Sequence, residues 1–295
     1  MSKKVYIRQK IKSIQTTKKI THAIRLVSMS LYSKLEHQAQ HTRVYVDTLS
    51  DSFGSLLKHK ADWQSPALAM WQRADACKIC VIVGTSKGLC GSLNSNLFRY
   101  VSQEISTEDA KNIKFITIGQ KASTFVRDHL NGDIIFSYND FNSNNYHLIA
   151  SDLITKVNDL KVCFSSVYFY FTEPKSFFLQ KPLKFRLLPL SEEAFSRNGK
   201  SAQAPAYKQS QDMIWEQNSS VILDFVLIRF IKSRISYIFL RSLISEYTAR
   251  FIAMDSSTTN AEKYLEKLTL QYNKIRQGTI TREISELCAS FMEQQ

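Results

Sequence analysis

Between Cys80 and Asn96 the sequence reads CVIVGTSKGLCGSLNSN, an apolar run followed by three glycines, a lysine, a thiol and several hydroxyls. Residues of these types can cradle phosphates or attack electrophiles, so their spacing decides what they do. A P-loop needs G-x-x-x-x-G-K-[ST], which converges backbone amides and a lysine on phosphates at a helix start. Here Lys87 precedes Gly88, and no hydroxyl stands at the required place. The dinucleotide pattern G-x-G-x-x-G is absent too. What remains, Gly84, Gly88 and Gly91, reads as a turn from a strand into a helix, with Gly88 and Gly91 permitting a tight path. A helix N-terminus with Lys87 nearby lowers the pKa of a thiol such as Cys90. With no histidine close in sequence, Cys90 reads as a packed or weakly reactive thiol.

Other constellations fail similar tests. Cys77 and Cys80 have metal-ligand spacing, but they lead into a strand and no second pair follows at zinc-site distance. His37 and His41 stand one helical turn apart, yet position 38 is Gln38, not the glutamate of a zinc protease. No Ser-His-Asp order, carboxylate pair or calcium loop emerges. The expectation is a chain without catalytic, cofactor or metal residues. Its five cysteines, an odd number set mostly in apolar runs, fit reduced thiols in a cytosolic compartment.

Charge points to partners. The net charge of +13 favours nucleic acid, an anionic membrane surface or acidic protein loops. Residues 1–45 hold ten basic side chains against Glu36 alone. A basic helix beside a coiled coil can bind DNA, as basic zippers do. Those proteins, however, have no insert between the basic and heptad regions, so nucleic-acid binding is the alternative reading and not the first. No apolar window is long enough to span a membrane, and the N-terminus lacks the apolar core of a secretory signal.

The elements that must position these residues follow from punctuation. Glycine and proline are absent from Met1 to Phe53, and from Ala206 onward Gly278 stands alone. Both residues interrupt helices, so two long terminal helices of roughly 75 and 120 Å are expected around a globular insert. Alternate steps of four and three from Leu240 visit Ile244, Tyr247, Phe251, Met254, Thr258, Ala261, Leu265, Leu268, Tyr272, Ile275 and Thr279. Ten of these twelve positions are apolar or aromatic, which is a coiled-coil seam. Beyond Thr279 the stripe shifts to Ile280, Ile284 and Leu287, so the last turns face a different environment. The N-terminal helix carries Ile7, Ile11, Ile14, Ile20, Ile24, Val27, Leu31 and Leu35, with a slip in the heptad between Ile14 and Ile20. In the middle, β-branched runs at 78–83, 115–118, 133–137, 166–171 and 183–190 alternate with helical segments at 93–105, 121–130 and 146–160. That pattern predicts a small, largely parallel α/β sheet. The expected division is a coiled-coil helix over 1–58, an α/β domain over 76–190, a polar linker over 191–212 and a second coiled-coil helix over 213–295.

Three blocks then carry a resemblance. IRQKIKSIQTTKKITHAIRLVSMS (Ile7–Ser30), SKGLCGSLNSNL (Ser86–Leu97) and EYTARFIAMDSSTTNA with LTLQYNKIRQGTITREISEL (Glu246–Leu287) resemble signature blocks of the gamma subunit of F-type ATP synthases, in the same order. The resemblance implies an antiparallel coiled coil of the terminal helices with an inserted Rossmann-like foot. It implies a central rotor that turns inside the ring of alpha and beta subunits. The foot would rest, with the epsilon subunit, on the c-subunit ring at the cytoplasmic face of the membrane. Catalysis would lie in the beta subunits. It also implies that Arg276, Gln277 and Thr281 meet acidic catch loops of the beta subunits. Arg250 would face the surrounding ring, and Ile24, where the family often has methionine, would lie near the coupling region. Two features depart from the family pattern. Ser86 and Lys87 replace an acidic residue and an arginine, and Phe225–Leu240 is bulkier than usual.

Overall fold

The computed structural model describes residues 3–59, 63, 72–106, 108, 112–159, 164–189 and 218–292. The elements are α1 (Lys3–His59), β1 (Gln72–Val83), α2 (Leu93–Glu104), β2 (Ile113–Ile118), α3 (Gln120–Phe125), β3 (Asp133–Tyr138), α4 (Tyr146–Asp159), β4 (Phe164–Pro174), β5 (Gln180–Leu188) and α5 (Ser219–Met292). The two terminal helices are single uninterrupted elements of 57 and 74 residues. The helix expected over 121–130 is present but changes pitch. After α3 it widens into a π-helical turn, Val126–Leu130, and stops at Asn131 with φ of 47°. Asparagine tolerates that left-handed backbone better than most residues. The linker expected over 191–212 lies outside the described residues.

The chain divides into two compact units. One comprises Met1–Ser30 and Arg250–Gln295, the other Leu31–Ala249. The second unit is built on a five-stranded sheet in the order β3-β2-β1-β4-β5. β1 runs parallel to β2 and β4, and β2 runs parallel to β3. β5 is antiparallel to β4 because the short turn Lys175–Leu179 joins them, closed by the Lys175 amide donating to the Leu179 carbonyl at 2.9 Å. A turn of that length cannot make a parallel crossover.

Alternation along β1 sends its side chains to two cores. Ile79, Val81 and Val83 join Ile116, Ile118, Phe169 and Phe171 in a large core shared with α4, with Leu35, Ala39 and Phe53 of α1, and with Leu223 to Ile244 of α5. Cys80 and Ile82 face the other way, against Leu97 and Val101 of α2 and Ala122 and Phe125 of α3. Both faces of the sheet are covered, which explains why its strands read as continuous apolar runs.

Candidate functional site

In the unit formed by residues 1–30 and 250–295, the seam read on the C-terminal helix is real. Met254, Thr258 and Leu268 are buried, and Phe251, Ala261, Leu265, Tyr272, Ile275 and Thr279 are half-buried, while most positions between them are exposed. The partner is α1, running antiparallel. Arg25 donates to the Asp255 carboxylate at 2.6 Å, the Thr258 hydroxyl to that of Thr21 at 2.9 Å, and Lys18 pairs with Glu262 at 2.8 Å. As numbers rise along α1 they fall along α5. Further on, the Lys10 ammonium lies 5.3 Å from the Tyr264 ring centroid.

The slip expected in α1 is not there. The covered face runs through Ile7, Ile11, Ile14, Lys18, Thr21, Arg25 and Ser28, an unbroken alternation of four and three. Ile20 and Val27, taken from sequence as seam positions, point outward at 54% and 59% exposure. The seam changes chemistry and keeps its register: from Lys18 to Ser28 it is held by ion pairs and hydroxyls. A charged residue on α1 answered by the opposite charge at the facing height of α5 is the signal that apolar periodicity misses. The Lys18 ammonium, by hydrogen bond first and charge second, holds the Glu262 carboxyl below the usual carboxylate range. Solvent washes these pairs, so they specify register more than they stabilise.

The expected contact residues separate into two kinds. Arg276, Gln277 and Thr281 are exposed on one broad face of α5, where the Thr281 hydroxyl donates to the Gln277 carbonyl at 3.0 Å. Around them lie Ile280, Ile284 and Leu287, exposed at 45%, 55% and 59%, and every residue from Ile280 to Cys288 is exposed. Three large apolar side chains stand beside an arginine on an exposed stretch of helix, a surface suited to being covered by something else. Arg250 differs: it is 8% exposed, so its guanidinium is spent within the chain and is not displayed. Ile24 is half-buried, and its carbonyl accepts the Ser28 hydroxyl at 2.7 Å.

The loop after β1 is a structural turn. Gly91 has φ of 58° and Leu89, not Gly88, takes the other left-handed position at 64°. A side chain at Gly88 would meet nothing within 4 Å, so the expectation that Gly88 is needed for the path is corrected. Polar groups of the loop are consumed locally. Asn94 donates to the Thr85 hydroxyl at 2.7 Å and to the Cys90 sulfur at 3.4 Å, and Ser86 donates to the Asn139 carbonyl at 2.7 Å. Cys90 is buried with Leu93 against Ala249 of α5. Open parallel sheets take ligands in the crevice where strand order reverses, here between the C-terminal ends of β1 and β4. That crevice is filled by α5: Ser245 donates to the Thr172 carbonyl at 2.9 Å, and Arg241 to that of Pro174 at 2.7 Å. Cys80 is buried in the sheet, and burial pushes its thiol up to about 12, against the opposing charges of Lys184 and Lys78. Among the described residues no group of three or more His, Cys, Asp or Glu is placed to hold a metal ion, and no helix is long and apolar enough to cross a membrane.

The sequence model of the family described as ATP synthase matches residues 4–292. The ATP synthase gamma chain of Paraburkholderia phytofirmans is 30% identical over 292 residues, which covers 95% of this chain and 96% of that relative. The chain belongs to the ATP synthase gamma-chain family. The gamma chain of Desulforudis audaxviator, at 28% identity over 286 residues, covers 95% of each chain. Among solved structures, a rotor chain of the Euglena gracilis mitochondrial ATP synthase superposes with a TM-score of 0.63 at 19% identity, covering 94% of this chain and 98% of that one. A central-stalk chain of the Tetrahymena thermophila enzyme gives 0.55 at 17% identity, covering 80% and 98%. These structures establish that the family's fold, terminal helices around an inserted α/β domain, extends to this chain. As a gamma-family member it is a central-stalk subunit of an ATP synthase, and the nucleic-acid reading finds no support.

Proposed function

We propose that the chain is the non-catalytic rotor of its complex, and that the α5 face around Arg276, Gln277 and Thr281 transmits torque to the beta subunits. The observation that carries this reading is the extension of α5 past its paired seam, with Ile280 to Cys288 wholly exposed. Inside a ring of alpha and beta subunits, the apolar residues would slide against a close-fitting collar. Arg276 would grip acidic loops through bidentate hydrogen bonds strong enough to register each step and weak enough to break. Arg250, being buried, is assigned to the shaft itself. Occupation of the sheet's crevice by α5 supports a foot that transmits force and leaves nucleotide chemistry to the beta subunits. We place the foot with the epsilon subunit on the c-subunit ring, at the cytoplasmic face of the membrane, as a peripheral part of the complex.

The test is Arg276→Ala combined with Gln277→Ala in the assembled complex. Assembly should be retained because neither side chain is used within the chain's own packing. ATP-driven ion pumping should fall, since removing a charge-assisted hydrogen bond costs about 1.5–3 kcal/mol. Unchanged pumping would refute the coupling role.

A further inference from the structure

On the unit of residues 31–249, an open groove of about 380 Å³ is lined by His41 and Tyr45 of α1, His147 of α4, and Arg229, Lys232 and Ser233 of α5. No carboxylate lines it. Arg229 and Lys232 stand one helical turn apart, and among the described residues neither is in an ion pair with a carboxylate. Arg229 instead lies 6.0 Å from the Phe225 ring centroid. The charge of Lys232 reaches His147 and, after burial, helps hold its imidazole below the ordinary range. Arg229 and Lys232 supply the groove's permanent positive charge.

Its border is apolar. Phe225 and Ile228 sit one turn before Arg229 and Lys232 on α5, exposed at 66% and 44%, and Val44, beside Tyr45 on α1, is exposed at 66%. Two uncompensated cations with tyrosyl and imidazole groups between them suit a phosphate. Exposed aliphatic and aromatic side chains at the rim suit the glycerol and acyl portions that a free phosphate lacks. Such pairing of basic and apolar surface is how proteins seat on anionic lipid interfaces.

We propose that this groove binds the phosphate headgroup of an anionic phospholipid. The inference does not depend on rotation or on the torque face of α5, and it is read on the full chain alone. Binding of the chain to phosphatidylcholine vesicles, with and without phosphatidylglycerol, is measured by co-sedimentation for the wild type, for Arg229→Gln with Lys232→Gln, and for Lys181→Gln with Arg186→Gln. The last pair removes the same charge from exposed positions on β5. Near an anionic surface each cation contributes roughly a fivefold change in affinity. The groove pair should therefore lose roughly thirtyfold on the anionic vesicles, while the β5 pair loses much less. Phe225→Ser should weaken vesicle binding with the helical circular dichroism unchanged. Equal losses from both charge pairs would reduce the effect to net charge and overturn the site, as would undiminished binding by the groove pair. Displacement from vesicles by millimolar inorganic phosphate, lost in the groove variant, would keep the anion site but assign it to soluble phosphate and overturn the lipid.

Discussion

Thr21 and Thr258 meet hydroxyl to hydroxyl at 2.9 Å, between the ion pairs Lys18–Glu262 and Arg25–Asp255, and the energetics of the contact can be worked out in advance. The Thr21 hydroxyl gives its own proton to the Lys18 carbonyl at 3.0 Å and accepts from Thr258, whose single proton also has the Met254 carbonyl within reach at 2.7 Å. Replacing either residue by valine removes the interhelical bond, a net loss of about 1 kcal/mol. The same exchange buries a methyl group in place of the hydroxyl. That returns up to about 0.8 kcal/mol at buried Thr258 and about half as much at half-buried Thr21. Thr258→Val should thus be nearly neutral and Thr21→Val mildly destabilising. The double variant loses the bond once and gains both methyls, so it should match or slightly exceed the wild type. The double-mutant cycle should yield a coupling of about 1 kcal/mol. Urea unfolding of the four proteins, followed by helical circular dichroism, measures it. Additivity within about 0.3 kcal/mol would mean that the hydroxyls do not meet, and the continuous register of α1 would fall with them.

Four further outcomes are expected. Thr21→Cys with Thr258→Cys should form a disulfide on mild oxidation, whereas Ile20→Cys with Thr258→Cys should not, as read by mobility on non-reducing gels. Gly119→Ala should abolish folding or destabilise strongly, because at φ of 86° its new carbon would lie 2.7 Å from the Thr85 backbone. Gly278→Ala, in an exposed helix with nothing within 4 Å, should instead stabilise by about 0.5–1 kcal/mol in thermal melts. A thiol-reactive probe on the native chain should label exposed Cys288 quickly and leave Cys80 untouched until denaturant is added, since burial pushes the Cys80 thiol up to about 12.

What sequence made legible depended on which interaction held each element. The α5 seam was readable because apolar residues occupy it at regular spacing. Along α1 the same method follows Ile20 and Val27 onto the outer face, because Lys18, Thr21 and Arg25 hold the seam through Glu262, Thr258 and Asp255, more than two hundred residues away. The alternating strands and helices revealed the sheet, since both of its faces are buried and its strands are correspondingly apolar. The pitch change after α3 carries no such signature. Spacing argues against a phosphate at the β1–α2 loop, and the packing around that loop adds a second argument. Ser245 and Ala249 of α5, far along the chain, occupy the crevice in which a nucleotide would sit. Of the residues expected at the ring, Arg276, Gln277 and Thr281 are exposed and Arg250 is buried, a difference set by packing that the motifs do not encode.

As a rotor, this chain must turn. Assembled with its own alpha and beta subunits, carrying Lys181→Cys on exposed β5 in a Cys288→Ser background and a gold particle attached there, it can be watched singly during ATP hydrolysis. The particle should rotate stepwise in one direction, with torque weakened by Arg276→Ala with Gln277→Ala. Steady ATP hydrolysis by a complex whose particle does not turn would contradict it.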